Sequence, residues 1–273
     1  MVERRLSARA AAALVFLWAA SAATVAGAAD LQMNLAEDLT APGGTSLEVL
    51  GEGAERAPFG AWPATLVFRN AAGGGCTATM VGQRAVLTAA HCIEDGAAGH
   101  VVHQGTRNRL VCSHHPAYPR DISADFALCI AAADLGDMPF EWLNTEPATL
   151  SMGKSITLLG YGCLTSGGED RNFGTLYQGV AEIAEMPGPD IYYLARGGAA
   201  VCFGDSGGGS FLATDEPNER RLFAVNSRGD ISRYSWLSGT ANPLFVDWAR
   251  AWAGTHDVKI CGLHDEAQGC RGS

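Results

Sequence analysis

The chain has 273 residues, 47% of them hydrophobic and 18% charged, a balance ordinary for a globular protein with one or two core-bearing units and far from a disordered or fibrous composition. Its formal net charge is −10, and it stands at −12 once residues 1–28, which hold three Arg and one Glu, are set aside. So acidic a chain argues against nucleic acid as a partner, because phosphate binding needs clustered Lys and Arg.

At the start, Arg4, Arg5 and Arg9 precede an apolar run from Ala10 to Ala20, and Ala26-Gly27-Ala28 supplies the small residues of a cleavage site. This layout predicts a secretory signal peptide over 1–28. The competing reading is a membrane anchor, but the strongly apolar LVFLW core falls short of the roughly 20 residues that cross hydrocarbon. Arg4-Arg5 also resembles a twin-arginine signal, poorly flanked by Glu3 and Leu6. The expectation is a secreted or periplasmic protein, monomeric and without a membrane partner. Residues 29–48 are acidic, lack aromatics and contain a Pro-Gly-Gly break, as a linker or short propeptide would.

From Val49 to about Ala241, short apolar runs alternate with glycine-rich turns: ATLVF, AVLTAA, FALCIA, SITLLGYG, IYYLA, SFLA and LFAVN. Runs of this length and spacing predict an all-β sandwich or barrel. The one good helix is NPLFVDWARAWAG, expected over 242–254. Asn242 caps it, Pro243 suits its first turn, Leu244, Phe245, Trp248 and Trp252 form an apolar stripe, and Gly254 follows as a stop. The tail, 258–273, contains CGLHDEAQGC, in which Cys261 and Cys270 are near enough to staple each other.

Eight cysteines lie beyond the signal segment, and an even count in an oxidising compartment predicts four disulfides. The alternative is a metal site using Cys92 with His91, or Cys112 with His114 and His115. No pair of cysteines has the C-x2-C or C-x4-C spacing of common zinc sites.

Three segments carry chemistry. In LTAAHC, residues 87–92, His91 follows an apolar run and adjoins Cys92; a bridge from Cys92 to Cys76 would fix the His91 backbone and stabilise by about 3 kcal/mol. Taken alone, His91 reads as a structural histidine. In DFALCI, Asp125 opens an apolar strand, and nearby Asp121 is an equally plain acid. In CFGDSGGGSF, residues 202–211, Ser206 is either a flexible-turn residue or a nucleophile among glycines that let backbone amides approach a carbonyl.

Taken in order, TAAHC, D-x-A-L and C-x-G-D-S-G-G resemble the trypsin and chymotrypsin family of serine endopeptidases. The likeness runs from about Val49 to Trp252 and includes PFGAWP, HPAY at 115–118, GYG at 160–162 and NSRG at 226–229. It implies two perpendicular six-stranded antiparallel β-barrels with a C-terminal helix, the first barrel at about 49–150 and the second at about 151–241. It also implies a His91, Asp125, Ser206 triad, an oxyanion hole from the amides of Gly204 and Ser206, and no metal or organic cofactor. Asp125 is preferred to Asp121 because it alone is followed by the Ala-Leu of the motif.

This chain departs from the family in several places. The usual partner of Cys202 is missing, and Cys163, directly after GYG, is the expected replacement. Cys112 and Cys129, on expected neighbouring strands, then pair by elimination. Trypsins carry an aspartate six residues before the nucleophile, where this chain has Ala200, so a neutral pocket without preference for Lys or Arg is expected. Ser227, Arg228 and Gly229 occupy the strand along which the family lays substrate backbone, with Arg228 in place of tryptophan; Arg228 either meets an acidic substrate group or is a solvated cleft-edge residue. Asp205 corresponds to the acid that pairs with a freed N-terminus on activation. Here VLGEG at Val49 is preceded by Glu48, so either another protease cleaves there or Asp205 finds a different cation, Arg228 being one candidate. Gly209 replaces the proline after GDSGG.

The resulting expectation is a secreted serine endopeptidase acting on protein or peptide substrates. The alternatives are a catalytically silent binding protein on the same fold, or an esterase using the same triad.

Overall fold

The computed structural model describes residues 54–136, 138–164, 173–212 and 219–271. The expected signal peptide, the propeptide or linker and the VLGEG segment lie outside the described residues.

Six strands close the first barrel: β2 (Thr65–Asn70), β3 (Gly75–Met80), β4 (Ala85–Thr88), β5 (Ala98–His103), β6 (Thr106–His114) and β7 (Ala127–Ala131), in the order β2-β3-β4-β7-β6-β5. In β2, Leu66 and Phe68 point into the barrel while Arg69 faces solvent, the period-two alternation of a half-buried strand. The β5–β6 hairpin turns on Gln104-Gly105, both at positive φ of 48° and 74°, which sets the register His103↔Thr106.

The second barrel contains β8 (Ser155–Gly160), β9 (Tyr177–Glu185), β10 (Tyr192–Arg196), β11 (Gly209–Leu212), β12 (Arg221–Gly229) and β13 (Ser235–Gly239), ordered β9-β10-β13-β12-β11-β8 and closed by β8–β9 pairing. Strand β1 (Ala54–Arg56) pairs with β9, so this segment joins the second barrel and not the first barrel expected from about residue 49. Of the two architectures left open by the apolar runs, the barrel is the one formed.

Helix α1 (Pro243–His256) is capped by Asn242, whose Oδ1 accepts from the Phe245 amide at 3.0 Å. Phe245, Ala249, Trp252 and Ala253 form its buried stripe, with Leu244 at the surface. The helix does not stop at Gly254. It ends where Asp257 turns left-handed at φ 50° and the Val258 amide reaches Ala253 O. Phe245 packs on Phe126 of the first barrel at 4.7 Å between centroids, and His115 Nε2 reaches Leu244 O at 3.2 Å. Four disulfides join Cys76 to Cys92, Cys112 to Cys129, Cys163 to Cys202 and Cys261 to Cys270.

The segment linking the barrels is held by a buried carboxylate. Phe140 bridges to Cys270 of the tail and Leu143 to Leu222 of β12; between them lies Glu141, fully buried. Arg220 grips it through Nε at 3.0 Å and through Nη2, donates Nη1 to Ala61 O at 2.8 Å, and stacks on Trp62 at 3.6 Å. Arg271 lies on the same carboxylate, with Nε 3.3 Å from Oε2. One carboxylate thus ties the linker, the entry to the first barrel, the approach to β12 and the tail. Removing it strands two buried guanidiniums, so Glu141→Ala is expected to destabilise by about 3–5 kcal/mol. Urea denaturation should show this as a lower midpoint at unchanged slope.

Candidate active site

The two barrels bring together loops whose contacts are specific to the residue. β4 runs into a short 3-10 turn, Ala90–Cys92, and the Cys76–Cys92 disulfide ties that turn to β3. His91 is thereby presented to the loop that precedes β7. Of the two acids there, Asp121 is occupied locally: its Oδ1 accepts from the Ser123 amide at 2.9 Å and the Ser123 hydroxyl at 2.6 Å. Asp125 reaches across. Its Oδ1 accepts from the His91 amide at 2.9 Å, and its Oδ2 accepts from His91 Nδ1 at 2.7 Å and from the Ser227 hydroxyl at 2.5 Å. Because an ionised carboxylate only accepts, Nδ1 carries the imidazole proton and Nε2 is left as the lone-pair nitrogen.

Asp125 is fully buried. Burial alone pushes its pKa up, but the His91 charge and the hydrogen bonds from His91 and Ser227 outweigh it and hold the carboxyl below its ordinary value.

The Ser206 loop is docked onto the first barrel by Thr77 of β3. The Thr77 amide donates to Ser206 O at 2.8 Å, its hydroxyl donates to Gly204 O at 2.8 Å, and that hydroxyl accepts from the Tyr161 amide at 3.0 Å. Gly207 makes this approach possible. It sits at φ 82°, and a Cβ there would lie 2.1 Å from Thr88 Oγ1 and 2.3 Å from Thr77 O. Within the turn, the amides of Asp205, Gly207 and Gly208 donate to Cys202 O, Asn226 O and Asp205 O. The amides of Gly204 and Ser206 have no acceptor among the described residues. Ser206 Oγ also makes no hydrogen bond there, so its link to His91 Nε2 is the one contact of the expected set not formed. In free enzymes this contact is commonly long and tightens around substrate.

Asp205 is buried, with Oδ1 accepting from the Gly162 amide at 2.7 Å and Oδ2 from the Cys202 amide at 2.8 Å. The GYG motif makes room for it: a Cβ on Gly160 or Gly162 would fall 2.1 Å or 2.6 Å from its carboxylate group. Arg228 is not its cation; that side chain lies over the Tyr192 ring, 5.6 Å from its centroid. Ala200 is fully buried, and the adjoining Val201 amide donates to Ser235 Oγ at 2.9 Å. Val201 also packs so closely on Gly229 that a Cβ there would meet it at 2.8 Å. Of the four residues expected to form a substrate pocket, Ser227 instead turns its hydroxyl onto Asp125.

Two residues at this site have no sequence signal. Thr77 is an unremarked strand residue, and Tyr192, in IYYLA, donates its hydroxyl to Ile122 O at 2.5 Å and lies 3.2 Å from Ser227 Oγ. Cys76, His91 and Cys92 place possible metal-ligand atoms within 4.8 Å of one another. Two of these atoms are disulfide sulfurs, and a disulfide offers no thiolate.

The Asp125 geometry has a signed pH consequence. Because its folded pKa is depressed, its contribution to stability is fully present above the unfolded value near pH 4 and is lost as pH falls through the folded value. The stability difference between the parent chain and Asp125→Asn, measured by urea denaturation, should therefore shift against the parent as pH falls below about 4.

Residues 52–235, well over half of the chain, match the Trypsin family profile. Human Serine protease 56 is 29% identical over 228 residues, covering 72% of this chain, and the chain spans only 37% of that relative's length. In solved structures, an atomic-resolution structure of HBP aligns with TM-score 0.60 at 18% identity, covering 74% of this chain and 96% of that one. A mutant of human heparin binding protein aligns with TM-score 0.58 at 19% identity, covering 73% and 95%. At such identities the structural likeness speaks for the fold alone, whereas the profile match spans the segments that carry His91, Asp125 and Ser206; this chain belongs to the trypsin family of serine proteases.

Proposed function

We propose that the chain is an exported serine endopeptidase that cuts protein or peptide substrates through an acyl-enzyme, with His91, Asp125 and Ser206 as its triad. The observation that carries this reading is the pair of amides, Gly204 and Ser206, without acceptors among the described residues on either side of the Asp205 amide, which donates to Cys202 O. Preorganised donors with nothing to bind suit a charge that develops only during reaction.

Ser206 Oγ attacks the scissile carbonyl while His91 Nε2 takes its proton, and the new oxyanion is received by the two amides. His91 then gives the proton to the leaving amine as the carbon–nitrogen bond breaks. Water attacks the acyl-enzyme along the same route, and Asp125 remains ionised, holding the imidazole and stabilising its cationic form.

Peptides are favoured over simple esters as substrates because β12 has an open edge. Its pairing with β11 ends at Gly209↔Val225, whereas β13 stays paired through Arg228↔Trp236 and Gly229↔Ser235. An extended chain can add along that edge. With Ala200 at the pocket position and Ser235 and Gly229 near it, no carboxylate among the described residues is placed there to pair with a substrate Lys or Arg. Export is supported by the signal-like start of the sequence and by four disulfides, which persist in oxidising compartments.

The unformed Ser206–His91 hydrogen bond favours one other reading, a silent binding protein, and labelling separates the two. An organophosphonate should modify Ser206, with the adduct located by mass spectrometry; an unlabelled, folded chain would overturn the enzyme reading. Turnover of a peptide substrate should fall about 10⁴ to 10⁶-fold in Ser206→Ala. In Asp125→Asn it should fall by about 10⁴-fold, the cost of this change in trypsin-like enzymes. Peptides ending in Lys or Arg at the cut should be hydrolysed no faster than those ending in Leu or Ala.

A further inference from the structure

We infer that Arg228 is a specificity-determining residue that reads an acidic side chain, Asp or Glu, on the substrate segment lying along Ser227–Gly229. The inference rests on the endopeptidase reading and names its substrate class. Arg228 follows directly on Ser227, the residue bonded to Asp125, and it sits on the stretch of β12 that keeps β13 on one side and no strand on the other. A peptide added to that edge must pass it.

The guanidinium is incompletely partnered. Its Nε is buried and makes no hydrogen bond, and none of its nitrogens forms an ion pair among the described residues. A buried donor without an acceptor is uncommon in a folded protein and carries a desolvation cost that nothing in the resting site offsets. The contrast within the same molecule is Arg220, whose Nε and both terminal nitrogens are all engaged.

The neighbours of Arg228 hold it without neutralising it. The Tyr192 ring lies against it at 5.6 Å, and the phenols of Tyr192 and Tyr118 are within its electrostatic reach. Burial pushes both phenols above their ordinary pKa, so they keep their protons and supply no negative charge. Asp125 is the carboxylate in the same electrostatic neighbourhood, and its oxygens are already taken by His91 and Ser227. Ile122, whose carbonyl accepts the Tyr192 hydroxyl, is exposed and apolar, and adds no charge of its own. A planar cation backed by an aromatic face, with no ion pair among the described residues and carried on the unpaired stretch of a strand, is matched by a carboxylate that accepts two parallel hydrogen bonds.

The test uses the mature protein, with active sites counted by organophosphonate labelling so that every rate is per competent enzyme. Peptides that share a scissile residue carry Glu, Gln or Lys in turn at each position flanking the cut. At one position Glu should exceed Gln by about tenfold in kcat/KM, the scale of one charge-assisted contact, with Lys poorer still. Arg228→Ala should erase this preference, so that within that variant Glu and Gln peptides are cut with equal kcat/KM, and Arg228→Glu should turn it towards Lys. A parent enzyme that labels and cuts but does not discriminate Glu from Gln overturns the role of Arg228 and leaves the protease reading standing. So does a preference that survives in Arg228→Ala. If Arg228→Ala fails to label, Arg228→Lys decides: the charge without the planar fork should retain part of the preference, and full retention overturns the assignment. A folded parent protein that neither labels nor cuts any peptide overturns both readings.

Discussion

A carboxylate cannot be buried without donors, and Asp125 collects its donors from two distant parts of the chain. The 3-10 turn after β4 contributes the amide and imidazole of His91, β12 of the other barrel contributes the Ser227 hydroxyl, and the Asp125 backbone leads into β7. Each donor fixes the element that carries it. With the carboxylate there, the imidazole has a single tautomer and a single facing nitrogen. The Cys76–Cys92 disulfide and the hydrophobic cluster that runs from the first barrel through Leu159, Phe211, Leu222 and Val225 of the second supply the stiffness behind it.

Thr77 does for the serine loop what Asp125 does for the histidine. Its amide and hydroxyl hold the carbonyls of Ser206 and Gly204, and the amides on the other side of those peptide units, of Gly207 and Asp205, donate to Asn226 O and Cys202 O, so the turn is fixed from both sides. The glycines follow from this docking. Gly207 must let the turn lie against Thr88 and the Thr77 carbonyl, and Gly162 must admit the Asp205 carboxylate. The glycine-rich motif is therefore a record of close approaches more than of flexibility.

These approaches explain what was legible in the sequence. The all-β architecture showed because ATLVF, AVLTAA and LFAVN are dense apolar runs. Strands β9 and β13 left little trace, since YQGVAEIAE alternates weakly and SWLSG is short and polar in two of its five places. The helix announced its start through Asn242 and Pro243. Its end did not show, because an aspartate at positive φ closes it three residues past the glycine that reads as a stop. His91, Asp125 and Ser206 stood out only through the residues around them, and Asp121 differs from Asp125 in space far more than in sequence: one folds back on Ser123, the other crosses to His91. Thr77 and Tyr192 act through main-chain and hydroxyl contacts that any Thr or Tyr in a strand could make, so no local pattern marks them. The pairing of β1 with the second barrel is likewise a long-range event that three residues, AER, do not encode.

Two of the buried carboxylates, Glu141 and Asp125, are held in opposite ways. Glu141 is gripped by two guanidiniums, Arg220 and Arg271, so its charge is neutralised by permanent cations and serves to hold segments together. Asp125 is given neutral donors, a main-chain amide and a hydroxyl, together with an imidazole that is cationic only when protonated. Had an arginine been placed on Asp125, the carboxylate would be as well buried, but an imidazolium forming beside it would meet a pair already balanced. In the proposed reaction, a carboxylate with no permanent cation on it among the described residues keeps its field available when His91 becomes positive. The half-buried Arg228 lies over the Tyr192 ring and forms no ion pair with Asp125, so it leaves that carboxylate to His91 and Ser227.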